Sequence, residues 1–233
     1  MSPSLLDRLH SLQEDMAAVA SNSGRRPGSV KLVLVSKFIP AEAMLGAYQD
    51  GIRDFGENRV QEFKSKSIVL PADIRWHMIG TLQTNKVKDV AGRAALIHSL
   101  DRPELARALH LIAVKKKLSP IPCLVEVNMS GESSKSGFLP ADLPSFLDAC
   151  GSFSGIHLQG LMTIAPHTDD TERIRDAFRG LRLLRDSLGQ SHPAFHLEEL
   201  SMGMSADYRI AIEEGATLIR VGSLVFGPRP QKP

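Results

Sequence analysis

The 233-residue chain lacks a cysteine framework, a strong net charge and any hydrophobic run of membrane-spanning length. Its two cysteines, Cys123 and Cys150, lie far apart and outside any C-x-x-C motif, which argues against a disulfide scaffold or a zinc cluster and fits a reducing cytosol. A net charge of +2 is too small to favour nucleic acid or membrane surfaces as partners. The polar N-terminus does not resemble a secretory signal. We therefore expect a cytoplasmic protein without a membrane segment.

Two ligand-binding motifs are missing as well. No G-x-G-x-x-G follows the first predicted strand, as a dinucleotide-binding fold would usually have. The stretch 131–137 (GESSKSG) superficially resembles a phosphate-binding P-loop, but its glycine follows the Lys-Ser pair instead of preceding it, so an NTPase is rejected. Eight histidines are spread along the chain, and we expect no metal site. His77, at the end of a predicted strand, could contact a ligand; the alternative is a structural histidine whose hydrogen bonds are satisfied.

Short hydrophobic runs alternate with longer amphipathic ones along the chain. The runs with strand character cover 31–36, 52–56, 74–79, 94–98, 122–128, 156–163, 196–202 and 217–221. Helices are predicted between them at 40–50, 57–68, 83–91, 102–117, 140–150, 169–188 and 205–214. A further amphipathic helix is predicted within 1–22, where leucines, a methionine and a valine recur at steps of three and four.

Eight strands that alternate with helices indicate parallel βαβ units. That number predicts a (β/α)8 TIM barrel, and we expect a single domain over 1–233 with the N-terminal helix of 1–22 packed on the barrel. The alternative is an open doubly wound sheet, which needs fewer strands and usually has a glycine-rich first turn. The barrel is favoured because the chain offers the strands and lacks the turn.

Lys37 follows directly after the first predicted strand. In a barrel, functional groups gather at the C-terminal ends of the strands. Partial desolvation at that position favours the neutral amine, which is a nucleophile that can form an imine with an aldehyde. From this segment alone, the alternative is an ordinary solvated lysine at the end of a strand.

The loops after the seventh and eighth strands suggest a phosphate site. Residues 201–205 (SMGMS) lead straight into a predicted helix, whose first N–H groups can bind an anion, and Gly222-Ser223 adds a close backbone approach and a hydroxyl. The alternative is turn glycines with helix-capping serines. A phosphate site combined with the amine of Lys37 suggests a phosphorylated aldehyde, and pyridoxal 5'-phosphate fits. Arg220 would lie near its ring and disfavour protonation of the pyridine nitrogen; the alternative for Arg220 is a structural ion pair.

Seven blocks carry a resemblance to a known family, in the same order and over nearly the whole chain. They are 35–37 (VSK), 55–62 (FGENRVQE), 77–86 (HMIGTLQTNK), 127–130 with 134–138 (VNMS, SKSGF), 160–164 (GLMTI), 201–205 (SMGMS) and 220–223 with 226–227 (RVGS, FG). In these blocks the chain resembles the YggS/PROSC family, whose members are called pyridoxal phosphate homeostasis proteins. It departs from the family at Ser223, where threonine is frequent, and at Ala206, where an acid is common.

The resemblance implies a barrel like the N-terminal domain of alanine racemase, with Lys37 holding pyridoxal phosphate as an internal aldimine. It also implies roles for further residues: Ser201, Gly203, Gly222 and Ser223 would cradle the phosphate, Arg220 would face the pyridine nitrogen, and Asn58 and His77 would line the pocket. The family is thought to buffer or deliver the cofactor without established turnover. We therefore expect a protein of intracellular pyridoxal phosphate homeostasis, with no catalytic residues and with apo forms of cofactor-dependent enzymes as recipients.

Catalysis is not expected from the residues present. Racemisation needs a base on each face of the α-carbon, and only Lys37 is evident. In alanine racemase a second domain supplies the opposing tyrosine, whereas Tyr48 and Tyr208 here fall inside predicted helices. We expect a monomeric carrier that binds neither nucleic acid nor membranes. The alternatives are a weak racemase or lyase acting through Lys37, and a regulatory module that binds protein or RNA through its surface.

Overall fold

Eight strands form in a computed structural model that describes residues 3–132 and 135–227. They are β1 (Lys31–Val35), β2 (Asp54–Glu57), β3 (Arg75–Met78), β4 (Leu96–Leu100), β5 (Ile121–Glu126), β6 (Ile156–Met162), β7 (Glu199–Ser201) and β8 (Leu218–Val221). Each strand pairs in parallel with its neighbours in the sequence, and β8 pairs with β1, so the sheet closes on itself. The predicted (β/α)8 barrel is therefore confirmed.

Helices connect the strands on the outside of the barrel. Within the residues given above they are α1 (Leu5–Asn22), α2 (Ala41–Gln49), α3 (Val60–Val69), α4 (Val87–Val90), α5 (Pro103–Lys116), α6 (Leu143–Cys150), α7 (Thr171–Ser191), α8 (Tyr208–Glu213) and α9 (Ser223–Phe226). Short 3-10 turns precede α4 and α6 and follow α7. In the described parts of the chain, no helix combines the length and the apolar character that a membrane span requires. A cytoplasmic location stays a prediction.

The N-terminal helix α1 starts at a capping box. The Ser4 hydroxyl accepts from the N–H of Asp7, whose carboxylate accepts from the N–H of Ser4. Its apolar face is buried against α2, α8 and α9. The assignment of all of 1–233 to one domain stays a prediction, since residues 1–2, 133–134 and 228–233 lie outside the described residues.

Several predicted boundaries were wrong by a few residues. The fourth strand was expected at 94–98 but forms at Leu96–Leu100, because the N–H of Ala94 is hydrogen-bonded to Val90 in the turn that ends α4. The helix expected from 57 begins at Val60, because Glu57 still pairs with Met78 in the sheet. The short helix α9 was not predicted, because four residues carry too little periodicity to be recognised.

The strands bury one apolar face against the helices and a second inside the barrel. The outer core includes Phe63 of α3, fully buried with its ring edge-on to Trp76 of β3 at 5.9 Å between centroids. Inside the barrel a separate, smaller apolar cluster is formed by Val33, Leu96, Leu124, Met162 and Leu218. Because side chains alternate along a strand, His98 and Arg220, two positions after Leu96 and Leu218, share the inward face. The interior therefore carries polar groups beside this apolar cluster.

Candidate functional site

A cavity of about 310 Å³ opens at the C-terminal ends of the barrel strands. Its polar lining comes from loops after four strands and from β8 itself: Lys37, Asn58, Ser205, Ser223 and Arg220. Apolar side chains complete it, among them Val35, Ile39, Ile79, Met162, Ile164 and Phe226. An amine, a guanidinium, an amide and two hydroxyls thus meet in one partly apolar cavity, the usual composition of a small-molecule site.

The structure brings five of the eight predicted site residues together. Lys37, Asn58, Arg220, Gly222 and Ser223 all line the cavity. Lys37 is half-buried, between the buried Ser36 and the exposed Phe38. The individual roles predicted for these residues are not shown by their positions alone.

Arg220 is a buried cation at the floor of the cavity. Its guanidinium donates to the Ser201 hydroxyl at 2.6 Å and to the carbonyl of Thr163 at 3.0 Å. Burial lowers the pKa of Arg220 to about 10, against the opposing effect of the nearby carboxylates of Asp207 and Glu126. With a pKa of that size, Arg220 is still positively charged at neutral pH.

The carboxyl of Glu126 lies close to this cation inside the barrel. Burial and the neighbouring Asp101 raise the pKa of Glu126 to about 7, while Arg220 acts in the opposite direction. Burial likewise raises the pKa of Asp207 from its ordinary value, against the N–H of Met204 and the charge of Arg220, which lower it. The cation at the cavity floor therefore lies near two buried carboxyl groups that do not line the cavity and that ionise less readily than usual.

A continuous chain of hydrogen bonds runs from Arg220 through the barrel interior. The Ser201 hydroxyl lies 2.8 Å from Nδ1 of His98, whose Nε2 lies 2.8 Å from Nδ1 of His77. Nε2 of His77 lies 3.0 Å from the carboxylate of Asp54, at the start of β2. This chain of five residues was not predicted from the sequence.

The two ends of the chain have fixed hydrogen-bonding roles. Arginine can only donate and an ionised carboxylate can only accept. His77 therefore donates from Nε2 to the ionised Asp54, and a neutral His98 bonds Ser201 and His77 through its two ring nitrogens, one donating and one accepting. The pKa of His98 is held well below its ordinary value by burial first, and then by the charges at His77 and Arg220. Ionised Asp54 fits the same direction, since bonds from Arg75 and His77 outweigh burial and lower its pKa.

His77, Ser201 and Gly203 do not line the cavity, which differs from the prediction. The His77 ring lies deeper in the barrel, between His98 and Asp54. The Ser201 hydroxyl is hydrogen-bonded to Arg220 and His98, and its place in a phosphate cradle stays a prediction.

Gly203 has a backbone role in the loop after β7, and its place in a phosphate cradle stays a prediction. Its φ is +92°, and a Cβ there would lie 2.5 Å from Cβ of Ala211 in α8. Glycine is required at this position because it lets the loop after β7 pack closely against that helix.

Ser205, which was not singled out, lines the cavity beside Ser223. The Ser223 hydroxyl donates to the Ser205 hydroxyl at 2.9 Å, so the loops after β7 and β8 meet at the cavity. Gly222 lies between β8 and that pair, and a Cβ there would come within 2.6 Å of the carbonyl oxygen of Val35. The SMGMS motif contains both serines, and only the position of each along the loop distinguishes them.

Both tyrosines lie in helices, as predicted, and both are engaged away from the cavity. The Tyr48 hydroxyl, on α2, donates to Asp73 at 2.7 Å. The Tyr208 hydroxyl, on α8, donates to Asp15 of α1 at 2.6 Å. Neither tyrosine is among the residues that line the cavity.

The side chains that most often bind metals do not assemble into a ligand set in the described parts of the chain. No group of three or more histidine, cysteine, aspartate or glutamate residues there could hold an ion. His192 and His196 are four residues apart, but they flank the 3-10 turn after α7 and are not on one helix.

Comparison with known families gives a match over almost the whole chain. Residues 8–230 match the family model described as alanine racemase, N-terminal domain. The chain is also 42% identical, over 224 residues, to a protein from Aquifex aeolicus named pyridoxal phosphate homeostasis protein. That alignment covers 96% of this chain and 97% of the relative.

Solved structures with the same fold include one with a ligand. PipY of Synechococcus elongatus, solved with PLP bound, is 38% identical and superposes with a TM-score of 0.81, over 91% of this chain and all of PipY. Alanine racemase from Clostridium difficile superposes with a TM-score of 0.71 at 14% identity. That likeness covers 94% of this chain but only 56% of the racemase, and it is a likeness of fold.

Proposed function

From the family of the alanine racemase N-terminal domain, to which this chain belongs as a pyridoxal phosphate homeostasis protein, we propose its function. The protein binds pyridoxal 5'-phosphate at the C-terminal ends of its barrel strands and buffers or delivers it inside the cell. The observation that carries this proposal is the donor set of the cavity. The amine of Lys37, the guanidinium of Arg220 and the paired hydroxyls of Ser205 and Ser223 line the same space.

This donor set fits the chemistry of the cofactor. Pyridoxal phosphate supplies, when bound, an aldehyde that captures amines and an aromatic ring that withdraws electrons from the captured group. Lys37 is the amine that would capture it. Ser205, Gly222 and Ser223 would hold the phosphate, through two hydroxyls and a backbone that no side chain obstructs.

Arg220 would determine the electrostatics at the ring nitrogen. A cation held in a buried position disfavours a second positive charge beside it, so the nitrogen would stay unprotonated. The bonds to Ser201 and to the Thr163 carbonyl keep the guanidinium oriented without a carboxylate in direct contact. An unprotonated ring withdraws electrons less strongly, which suits storage of the cofactor better than reactions at the α-carbon of an amino acid.

We further propose that the protein is a carrier and not an enzyme. Among the described residues that line the cavity, Lys37 is the one side chain that can act as a base near neutral pH, because arginine does not lose its proton. Racemisation requires a base on each face of the reacting carbon. Tyr48 and Tyr208 are engaged elsewhere and do not supply the second one.

The test is the visible absorption spectrum of the purified protein after addition of pyridoxal phosphate, before and after borohydride reduction. We expect a yellow band in the wild type and, after reduction, a covalent adduct on the peptide that contains Lys37. The K37A variant should show neither. K31A is the matched control, because Lys31 lies at the opposite end of β1 and pairs with Glu199 on the surface. Absence of the band in the wild type, or trapping on another lysine, would refute the proposal.

Carriage and turnover are distinguished by two further assays. Incubation with L-amino acids should give no enantiomer exchange; exchange that disappears in K37A would overturn the carrier proposal in favour of a weak racemase. The loaded protein should also activate an apo enzyme that depends on the cofactor faster than the same amount of K37A mixed with free cofactor. The proposed monomer should give a mass near 25.4 kDa by light scattering.

A further inference from the structure

The backbone on both sides of Lys37 is held by side chains from a different element. Nζ of Lys66, on α3, donates to the carbonyl of Ser36 at 2.7 Å. One turn earlier on the same helix, the carboxylate of Glu62 accepts from the N–H of Phe38, also at 2.7 Å. These two bonds reach the peptide groups that precede and follow Lys37, so both of its backbone links are anchored to α3.

The second anchor holds a conformation that the chain would not adopt readily on its own. Phe38 has a φ of +65°, which is unfavourable for a bulky residue that carries a Cβ. Phe38 is 41% exposed, so burial in the core is not what holds it in this conformation. The strained turn is favoured by the charge-assisted bond to Glu62, by the guanidinium of Arg59, 5.1 Å from the ring centroid, and by the N–H of Ile39, which donates to the Ser36 carbonyl at 2.9 Å.

The anchoring residues are themselves tied into a compact charged cluster. Nζ of Lys66 also donates to Glu57 at 2.7 Å and to Glu62 at 3.1 Å, so all three of its donors are used. Glu57 is fully buried and accepts from the Ser36 hydroxyl at 2.7 Å, while its second oxygen is buried without a hydrogen-bond partner among the described residues.

Burying such a charged cluster between a helix and a sheet costs desolvation free energy. Apolar side chains of similar volume commonly serve stability as well as a buried ion pair or better. What apolar side chains lack is the ability to bind a carbonyl and an N–H at defined points. The two bonded groups here are the peptide groups on either side of Lys37, so the cluster is placed to hold this residue in position.

We propose that Lys66 and Glu62, supported by Glu57, are positioning residues that hold the turn around Lys37 so that its amine is presented to the cavity. This inference rests on the proposed function, because positioning matters only if Lys37 captures an aldehyde. It predicts that loss of an anchor slows the capture of pyridoxal phosphate by protein that is still folded.

The main test compares E62A with E62Q. Alanine removes the acceptor for the Phe38 N–H, whereas glutamine keeps an acceptor oxygen and removes the charge. We expect E62A to capture pyridoxal phosphate about tenfold more slowly in stopped-flow absorbance, the size of effect given by one lost bond to a charged group. E62Q should recover most of the rate. K64A is the control, since Lys64 lies on the same helix but pairs with Asp89 outside the cluster.

A second variant tests the other anchor and guards against misfolding. The double change K66M/E57Q removes the bond to the Ser36 carbonyl without leaving an unpaired buried charge. We expect slow capture here too, at a temperature well below the Tm of each variant. Hydrogen exchange at the Phe38 amide gives a readout that does not involve the cofactor, and exchange should become faster in E62A.

The outcomes separate the two proposals. If the wild type does not capture pyridoxal phosphate, the proposed function fails. If the wild type and K64A capture it and the folded E62A and K66M/E57Q variants do so at the same rate, the positioning role is refuted while the function stands. A lower Tm with an unchanged capture rate would likewise refute positioning and leave the cluster a purely structural role.

Discussion

Acid should destabilise the barrel through His98, the central histidine of the interior chain. The ring is fully buried between Ser201 and His77, and it is neutral because burial, followed by His77 and the charge of Arg220, holds its pKa well below the ordinary value. Protonation would make both ring nitrogens donors, leaving His98 no acceptor for either neighbour, and would place a positive charge near Arg220. The folded state therefore resists a proton that the unfolded chain accepts.

The sign and size of the effect of pH on the free energy of unfolding follow from this difference in proton affinity between the folded and unfolded states. His98 has a pKa well below its ordinary value in the folded protein, whereas an unfolded histidine titrates near pH 6.5. As the pH falls through that value, the unfolded state binds more protons and the free energy of unfolding decreases, by up to about 1.4 kcal/mol per pH unit for one site. Between pH 7.5 and pH 5, His98 should account for a loss of about 2 kcal/mol.

Two assays measure this effect. Urea unfolding at pH 7.5, 6.5, 5.5 and 5 gives the free energy of unfolding for the wild type and for H98Q, and the wild type should lose about 2 kcal/mol more than the variant. Nitrogen NMR of the histidine rings should show His98 as a neutral ring throughout this range. A His98 ring that titrates near pH 6.5, or an H98Q variant with the same pH dependence as the wild type, would refute the reasoning.

Three other changes should affect stability, each followed by thermal unfolding. G160A should prevent folding or cost several kcal/mol, because a Cβ at φ +157° would overlap the carbonyl of Glu199 in the neighbouring strand. G189A in α7, with open space around it, should be neutral or stabilise by about 0.5–1 kcal/mol. Equal Tm values for the two variants would contradict this expectation. E214A should cost about 2 kcal/mol, because this carboxylate accepts from three arginines of α7, and an unchanged Tm would show those bonds to be of no consequence. F63A should cost about 3–5 kcal/mol through the cavity it leaves, and a loss below 1 kcal/mol would mean that the outer core refills the space.

The elements of the fold were largely predictable because their signals are local. Each of the eight strands was expected from a short hydrophobic run, and the order of runs and helices implies parallel pairing. The errors in the predicted strand and helix boundaries arose where pairing between neighbouring strands sets the boundary. The start of β4 is set by the pairing of His77 with Leu96, and that register is a property of two strands, not of one.

The site was predictable to the extent that strand ends converge in a barrel. Lys37, Asn58, Arg220, Gly222 and Ser223 were expected together because each lies in or just after a strand, and all five line one cavity. The loop after β7 was harder to predict, because Ser205 lines the cavity whereas Ser201 does not. Choosing between two serines four positions apart requires the path of the loop, which depends on how Gly203 packs on α8.

What the sequence by itself determined is the barrel, the family and the amine at the end of β1, because all three are encoded by patterns between neighbours along the chain. Only the tertiary structure decided which polar groups meet. The interior chain joins Asp54 to Arg220 across 166 positions of sequence, and the cluster on α3 reaches back to the turn around Lys37. Hydrogen bonds depend on distances of about 3 Å and on the direction of donors and acceptors. The spacing of residue types along the sequence does not encode these distances and directions, so these contacts are defined only once the sheet has closed.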